Sequence, residues 1–227
     1  MRIGIIGAMQ MEVDALQAAM TASTAETVSG ITFVSGKIGN HDVVAAVCGI
    51  GKVFAAMCAQ TMILKFAPEA IINIGVAGTV TKGLSVLDIA IADNVCQHDM
   101  DTSPLGDPVG LISGINQIFF PADENLAAAI GAAADKLGCR HITGTIASGD
   151  QFIHLPEKKD WIRDTFHAIA AEMEGGSIGH VCTVNKVPFA ILRTISDGDG
   201  GSMDYATFAP KAAIQSINVI METLNTL

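Results

Sequence analysis

The feature that most constrains this chain is a series of short, nearly charge-free apolar runs that lead into glycines or carboxylates. Arg2–Gly7, Ala70–Ile74, Asp88–Val95, His141–Ala147, Ala168–Ala171 and Pro188–Ile195 read as strands covered on both faces. Between them, helical apolar spacing predicts helices over Met9–Met20, Lys52–Phe66, Asp123–Leu137, Pro156–Phe166, Met173–Asn185 and Asp204–Leu224. Asp123 is an expected N-cap, Gly138 an expected C-terminal stop, and Pro156 suits a first helical turn. Ile31–Lys37 and Asp42–Val47, joined through Gly39-Asn40, predict an antiparallel hairpin inserted beside the main sheet. Strands alternating with crossover helices imply a mostly parallel α/β sheet with helices on both faces, in one domain spanning 1–227. Gln97–Pro121 is the longest stretch without periodicity, and loops of that length are often functional or at interfaces.

Composition narrows the function. Half of the 227 residues are hydrophobic, which excludes a disordered chain. Lys+Arg is 13 against Asp+Glu 23, a net charge of −10, which argues against nucleic acid and anionic membranes as partners. Only four arginines occur, Arg2, Arg140, Arg163 and Arg193, too few for an arginine cluster around an anionic substrate. The five cysteines, Cys48, Cys58, Cys96, Cys139 and Cys182, are spread along the chain and form no C-x-x-C, so they read as reduced, buried side chains. The N-terminal apolar run is too short for a signal sequence and no 18-residue apolar stretch exists, so a cytoplasmic protein is expected. A mean hydropathy of +0.44 suggests that a second subunit covers part of the surface.

In open α/β sheets ligands bind beyond the carboxyl ends of strands. Strand ends here deliver Gly7-Ala8-Met9 followed by Glu12, Gly75-Val76-Ala77-Gly78, Ser148-Gly149-Asp150-Gln151-Phe152-Ile153, Glu172-Met173-Glu174 and Ser196-Asp197. Glu12, Glu174 and Asp197 are carboxylates set among apolar neighbours. Such a setting raises a carboxyl pKa toward neutrality, as general acid–base work requires. The plainer reading of each is a first-turn acid facing a helix dipole. Arg193, inside an apolar strand, must pair with carboxylates or line a polar cavity, whereas Lys52 reads as a surface residue opening a helix. Gly4-Ile5-Ile6-Gly7 lacks the dinucleotide-binding spacing, and no P-loop occurs. His98-Asp99-Met100-Asp101 has no companion ligand motif and reads as a hydrogen-bonded loop anchor rather than a metal site.

Taken together and in this order, Gly4-Ile5-Ile6-Gly7-Ala8-Met9 with Glu12, Asn73-Ile74-Gly75-x-Ala77-Gly78, Ser148-Gly149-Asp150-x-Phe152, Glu172-Met173-Glu174 and Ser196-Asp197 resemble the bacterial 5'-methylthioadenosine/S-adenosylhomocysteine nucleosidases, of the nucleoside phosphorylase/hydrolase superfamily. The resemblance spans the chain. It implies a single-domain, three-layer α/β fold around a mixed twisted sheet flanked by helices. It also implies hydrolysis of adenine thionucleosides to adenine and a 5-thio-substituted ribose, in methionine salvage, with no metal or cofactor. A homodimer is implied, with the 97–121 loop near the subunit interface. By this resemblance Glu12 is the proton acceptor that activates water and Asp197 the proton donor to adenine N7. Glu174 holds the ribose hydroxyls, with Met173 against the sugar and Glu172 beside them. Phe152 stacks on adenine, whose edge the Phe152–Ile153 backbone reads. Met9 and Ile50 also belong to the substrate site, Gly78 allows close approach of the chain, Ser196 orients Asp197, and Arg193 joins the polar network at the water.

The sequence departs from some relatives in ways that concern the 5' group. Position 76 is valine rather than a hydroxyl residue, Thr102-Ser103-Pro104-Leu105 lacks an aromatic, and the segment after Asp197 is glycine-rich. Tyr205, in preference to Phe208, is expected to cap the 5' pocket, and the preferred substituent stays open. Two alternatives compete: a phosphorylase with phosphate as nucleophile, disfavoured by Glu12 and by the single arginine near the site, and a non-catalytic purine-binding sensor, which would not need both Glu12 and Asp197.

Overall fold

The computed structural model describes residues 1–198 and 202–227. In chain order its elements are β1 (Arg2–Gly7), a 3₁₀ turn (Gln10–Glu12), α1 (Asp14–Ala19), β2 (Thr21–Val28), β3 (Ile31–Ile38), β4 (His41–Val47), α2 (Lys52–Phe66), β5 (Ala70–Thr79) and β6 (Ile89–Gln97). There follow a 3₁₀ turn (Ser103–Leu105), β7 (Phe120–Pro121), α3 (Glu124–Lys136), β8 (His141–Ser148), α4 (Pro156–Phe166), β9 (Ala168–Glu172), α5 (Gly175–Asn185), β10 (Phe189–Asp197) and α6 (Ser202–Thr226).

The strands form one mixed sheet. At one edge β2, β3 and β4 make an antiparallel meander, and β4 runs parallel to β1, which runs parallel to β5. Beyond β5 the sheet curls shut: β5 pairs β10, β10 pairs β6, β6 pairs β8, β8 pairs β9, and β9 returns to β5. Among the described residues five strand pairings are parallel and five antiparallel, so the sheet is mixed rather than mostly parallel.

Alternation along the strands supplies two helix-covered faces. Ile6, Ile71 and Ile191 pack with Met62 of α2 and Ile178 of α5. Ile3, Ile5 and Ile72 pack with Leu16 of α1, Ile130 of α3 and Ile220 of α6. Ile162 and Phe166 of α4 close a third cluster against Ala147 and Ala168. Gly4 has a packing reason, since a Cβ there would stand 2.3 Å from Met62 Sδ.

Several expectations hold. Asp123 caps α3, accepting from the Asn125 and Leu126 N–H groups at 3.0 Å, Gly138 follows with φ +69°, and Pro156 opens α4. Others need correction. Met9–Met20 is a 3₁₀ turn and a short helix, because the Glu12 carboxylate folds back onto the Ala8 and Met9 N–H groups. The hairpin is no insertion: β4 joins β1 in the main sheet and β3 carries a further strand, β2, whose almost wholly exposed residues gave no apolar signal. The Ala70–Ile74 strand continues to Thr79 through Gly75 and Gly78, and Gln97–Pro121 ends in the two-residue strand β7.

Candidate active site

Sheet closure brings the ends of β1, β5, β8, β9 and β10 to one mouth. There lies a cavity of about 400 Å³, within the usual range for a small-molecule site. Glu12, Glu174 and Asp197 all line it, as do Met9, Ile50, Gly78, Phe152, Ile153, Glu172, Met173, Ser196 and Tyr205. Of the residues that the resemblance assigns to the site, Arg193 alone lies outside the lining, paired with the lining residue Glu172. Phe208 is not among the lining residues, and Lys211 Nζ lies 6.0 Å from its ring.

Glu12 is held by local backbone. Its Oε2 accepts from the Ala8 and Met9 N–H groups at 2.8 and 2.9 Å, and its Oε1 accepts from Val76 N–H at 3.1 Å. Burial pushes its carboxyl above the usual range, against the pull of the Arg193 guanidinium and those three donors. Gly75 leaves room for this arrangement, since a Cβ there would stand 2.5 Å from Arg193 Nη1 and 2.7 Å from Glu12 Oε1.

Asp197 ends β10. The Ser196 hydroxyl donates to its Oδ1 at 2.9 Å. Burial raises the Asp197 carboxyl too, with Asp204 adding to the effect, while Ser196 and Lys159 pull the other way. Both acids thus sit in surroundings that bring them toward the protonation range useful near neutral pH.

Glu172 and Glu174, two residues apart, are differently placed. Burial alone would raise Glu172, but the Arg193 ion pair, the Ser148 hydroxyl and the Gly175 N–H hold it below the ordinary value. Its oxygens are therefore taken by protein donors. Burial, and then the Glu172 charge, push Glu174 up to about 7. Glu174 Oε1 accepts from Gly51 N–H at 2.9 Å, and Arg193 Nη2 lies 3.5 Å from its Oε2. Arg193 also donates to Asn73 Oδ1 at 2.6 Å and is 1% exposed. It anchors the carboxylate pair from inside the sheet.

Part of the lining is aromatic and apolar. Phe152 and Tyr205 meet edge to face, with centroids 5.5 Å apart and planes at 80°. The Tyr205 hydroxyl donates to Met9 Sδ at 3.4 Å. A planar heterocycle suits such a wall.

Some supporting residues were not foreseen. Lys52 is no free surface residue: its Nζ pairs with Asp99 at 2.5 Å and donates to Gln97, while its N–H donates to Asp150 Oδ1 at 2.8 Å. Asp150 N–H donates to Asp99 Oδ2 at 2.9 Å, so the His98-Asp99 segment is a loop anchor beside the site. Among the described residues no group of three or more His, Cys, Asp and Glu side chains is arranged to hold a metal ion. No helix there is long and apolar enough to cross a membrane.

This geometry can be set beside known proteins. A family model described as Phosphorylase superfamily matches residues 2–225. The 5'-methylthioadenosine/S-adenosylhomocysteine nucleosidase of Shewanella putrefaciens is 38% identical over a 230-residue alignment covering all of both chains. The nucleosidase of the same name from Neisseria meningitidis, solved in complex with methylthio-immucillin-A, superposes with a TM-score of 0.95 at 32% identity, covering 100% of this chain and 99% of that one. The futalosine hydrolase of Helicobacter pylori superposes with a TM-score of 0.94 at 34% identity, covering 100% and 98%.

Proposed function

The chain belongs to the phosphorylase superfamily, and on that premise we propose that it hydrolyses the N-glycosidic bond of 5'-methylthioadenosine and S-adenosylhomocysteine, releasing adenine and a 5-thio-substituted ribose. The observation that carries this reading is the placement of Glu12, from the turn after β1, and Asp197, from the end of β10, on one cavity, with Glu174 and Met173 also on its wall. The full-length likeness to nucleosidases of that name supports the choice of substrate.

Breaking the C1'–N9 bond leaves negative charge on the purine and positive charge on the sugar. Asp197, whose burial favours the protonated form, gives its proton to adenine N7 and neutralises the leaving group. Glu12 takes a proton from the attacking water, and its charge stabilises the cationic sugar. Its three backbone donors fix the carboxylate in place beforehand. Glu174 accepts from the ribose hydroxyls, Met173 packs on the sugar, and Phe152 stacks on the base beside Ile153. Gly78 gives Asp197 room, and Ser196 sets its orientation. Met9, Ile50 and Tyr205 surround the 5' end. A phosphate nucleophile is disfavoured, because the cavity wall carries Glu12, Glu174 and Asp197 while Arg193 is already paired with Glu172. No residue in this scheme needs a metal or cofactor.

A homodimer is part of the proposal. Val53, 70% exposed, lies with Phe54 and Met57 on an open apolar face of α2, next to Ile50 at the cavity rim. The Lys52–Asp99 pair ties the head of α2 to the 97–121 segment, where Leu105 is 84% exposed. A second copy over this face would bury the patch and shield the cavity mouth. The five cysteines are free thiols, four of them buried, which supports a cytoplasmic location.

The test is product analysis from 5'-methylthioadenosine with and without inorganic phosphate. The expected products are adenine and 5-methylthioribose, at a rate indifferent to phosphate. Formation of the sugar 1-phosphate would overturn hydrolysis, and failure to release adenine would overturn the enzyme reading.

A further inference from the structure

Among the described residues two cationic side chains are buried, Arg193 and Lys159. Arg193 is accounted for by Glu172, Glu174 and Asn73. Lys159, 8% exposed, lies in the buried stripe of α4 with Ile162 and Phe166, at i, i+3 and i+7. Helix packing alone would put an apolar residue there, and burying an ammonium is unfavourable without a partner. Its partner is specific: Lys159 Nζ donates to the Gly198 carbonyl at 2.6 Å. Gly198 directly follows Asp197, and its N–H donates to Asp204 Oδ2 at 3.2 Å. Gly198, directly after the proposed acid, is therefore held from α4 on one side and from α6 on the other.

We propose that Lys159 is a positioning residue for the acid step, fixing Gly198 next to Asp197 through its carbonyl and keeping a positive charge behind the Asp197 carboxyl. This rests on the reading of Asp197 as proton donor. The groups that bear on Asp197 are the Ser196 hydroxyl from β10, Lys159 from α4, Asp204 and Tyr205 from α6, and Glu12 and Glu174 on the shared cavity. Lys159 is the cation in that set. It favours the carboxylate, opposing burial and Asp204, and so keeps Asp197 acidic enough to part with its proton.

Asp197 must be protonated to act, so activity falls as the pH rises through its pKa. Removing the Lys159 charge raises that pKa and moves the alkaline limb of kcat/KM to higher pH. The experiment is kcat/KM for 5'-methylthioadenosine from pH 5 to pH 10 in wild type, Lys159→Met, Lys159→Gln and Lys159→Arg, with Asp197→Asn as reference. Both neutral variants are expected to move the limb upward by about 0.5–1 pH unit. Lys159→Arg is expected to return it to the wild-type position. Lys159→Met suits an apolar stripe and Lys159→Gln can still donate to Gly198, so either folded neutral variant carries the test. A limb unmoved in a folded neutral variant, or moved equally by Lys159→Arg, would overturn the proposal. Wild-type turnover in Asp197→Asn would instead overturn the proton-donor reading on which it rests.

Discussion

Gly78 and Asp197 are register partners across β5 and β10, and a Cβ at position 78 would stand 2.7 Å from Asp197 Oδ2. The glycine makes room for the carboxyl to turn into the cavity. Gly78→Ala should push Asp197 out of line with a leaving group while leaving the strand pairing intact. Displacements of about 1 Å in a reacting group can lower rates about 10²-fold. We expect kcat/KM for adenine release to fall at least about 10-fold, with a thermal midpoint close to wild type. Wild-type kinetics in this variant would mean that the acid does not need the space Gly78 provides.

Arg193 is the internal counter-charge for Glu172 and Glu174. Arg193→Met fills similar volume but strands two buried carboxylates. Breaking a buried pair by removing one partner destabilises by about 3–5 kcal/mol. Urea unfolding at a fixed protein concentration should show that loss. A variant as stable as wild type would show that solvent or another group already compensates the two acids.

Glu174 gives a pH signature in stability. Its carboxyl is raised from the ordinary 4.5 to about 7, so the folded protein holds this proton more tightly than the unfolded chain. The stability it contributes is fully present below about pH 4.5 and is lost as the pH rises through about 7. Glu174→Gln has no such proton to lose. The thermal midpoint of wild type relative to this variant should therefore decline between pH 5 and pH 8. A difference that stays level over that range would place the titration on another group.

Much of this site was legible because its chemistry sits at strand ends. Glu12, Glu174 and Asp197 stood out as carboxylates that follow apolar strands, and closure of the sheet brings them to one mouth. Closure itself was not legible, because it depends on β9 returning to β5, a pairing of only two residues at Gly78–Ala171 and Thr79–Ala170. The strand β2 was hidden by its exposed, polar face. Lys52 read as a surface cation because its partner Asp99 lies in an aperiodic loop, 47 residues away. Lys159 gave no signal, since a lysine in the run Pro156-Glu157-Lys158-Lys159-Asp160 looks like any solvated helix residue. Its carbonyl partner exists only once α4 packs behind the end of β10.

The two-acid account meets its most direct test in the initial rate of adenine release from 5'-methylthioadenosine by Asp197→Asn and by Glu12→Gln, each checked for a native circular dichroism spectrum. The account predicts that each rate falls at least about 10²-fold with the fold intact. A near-wild-type rate in either variant would contradict it.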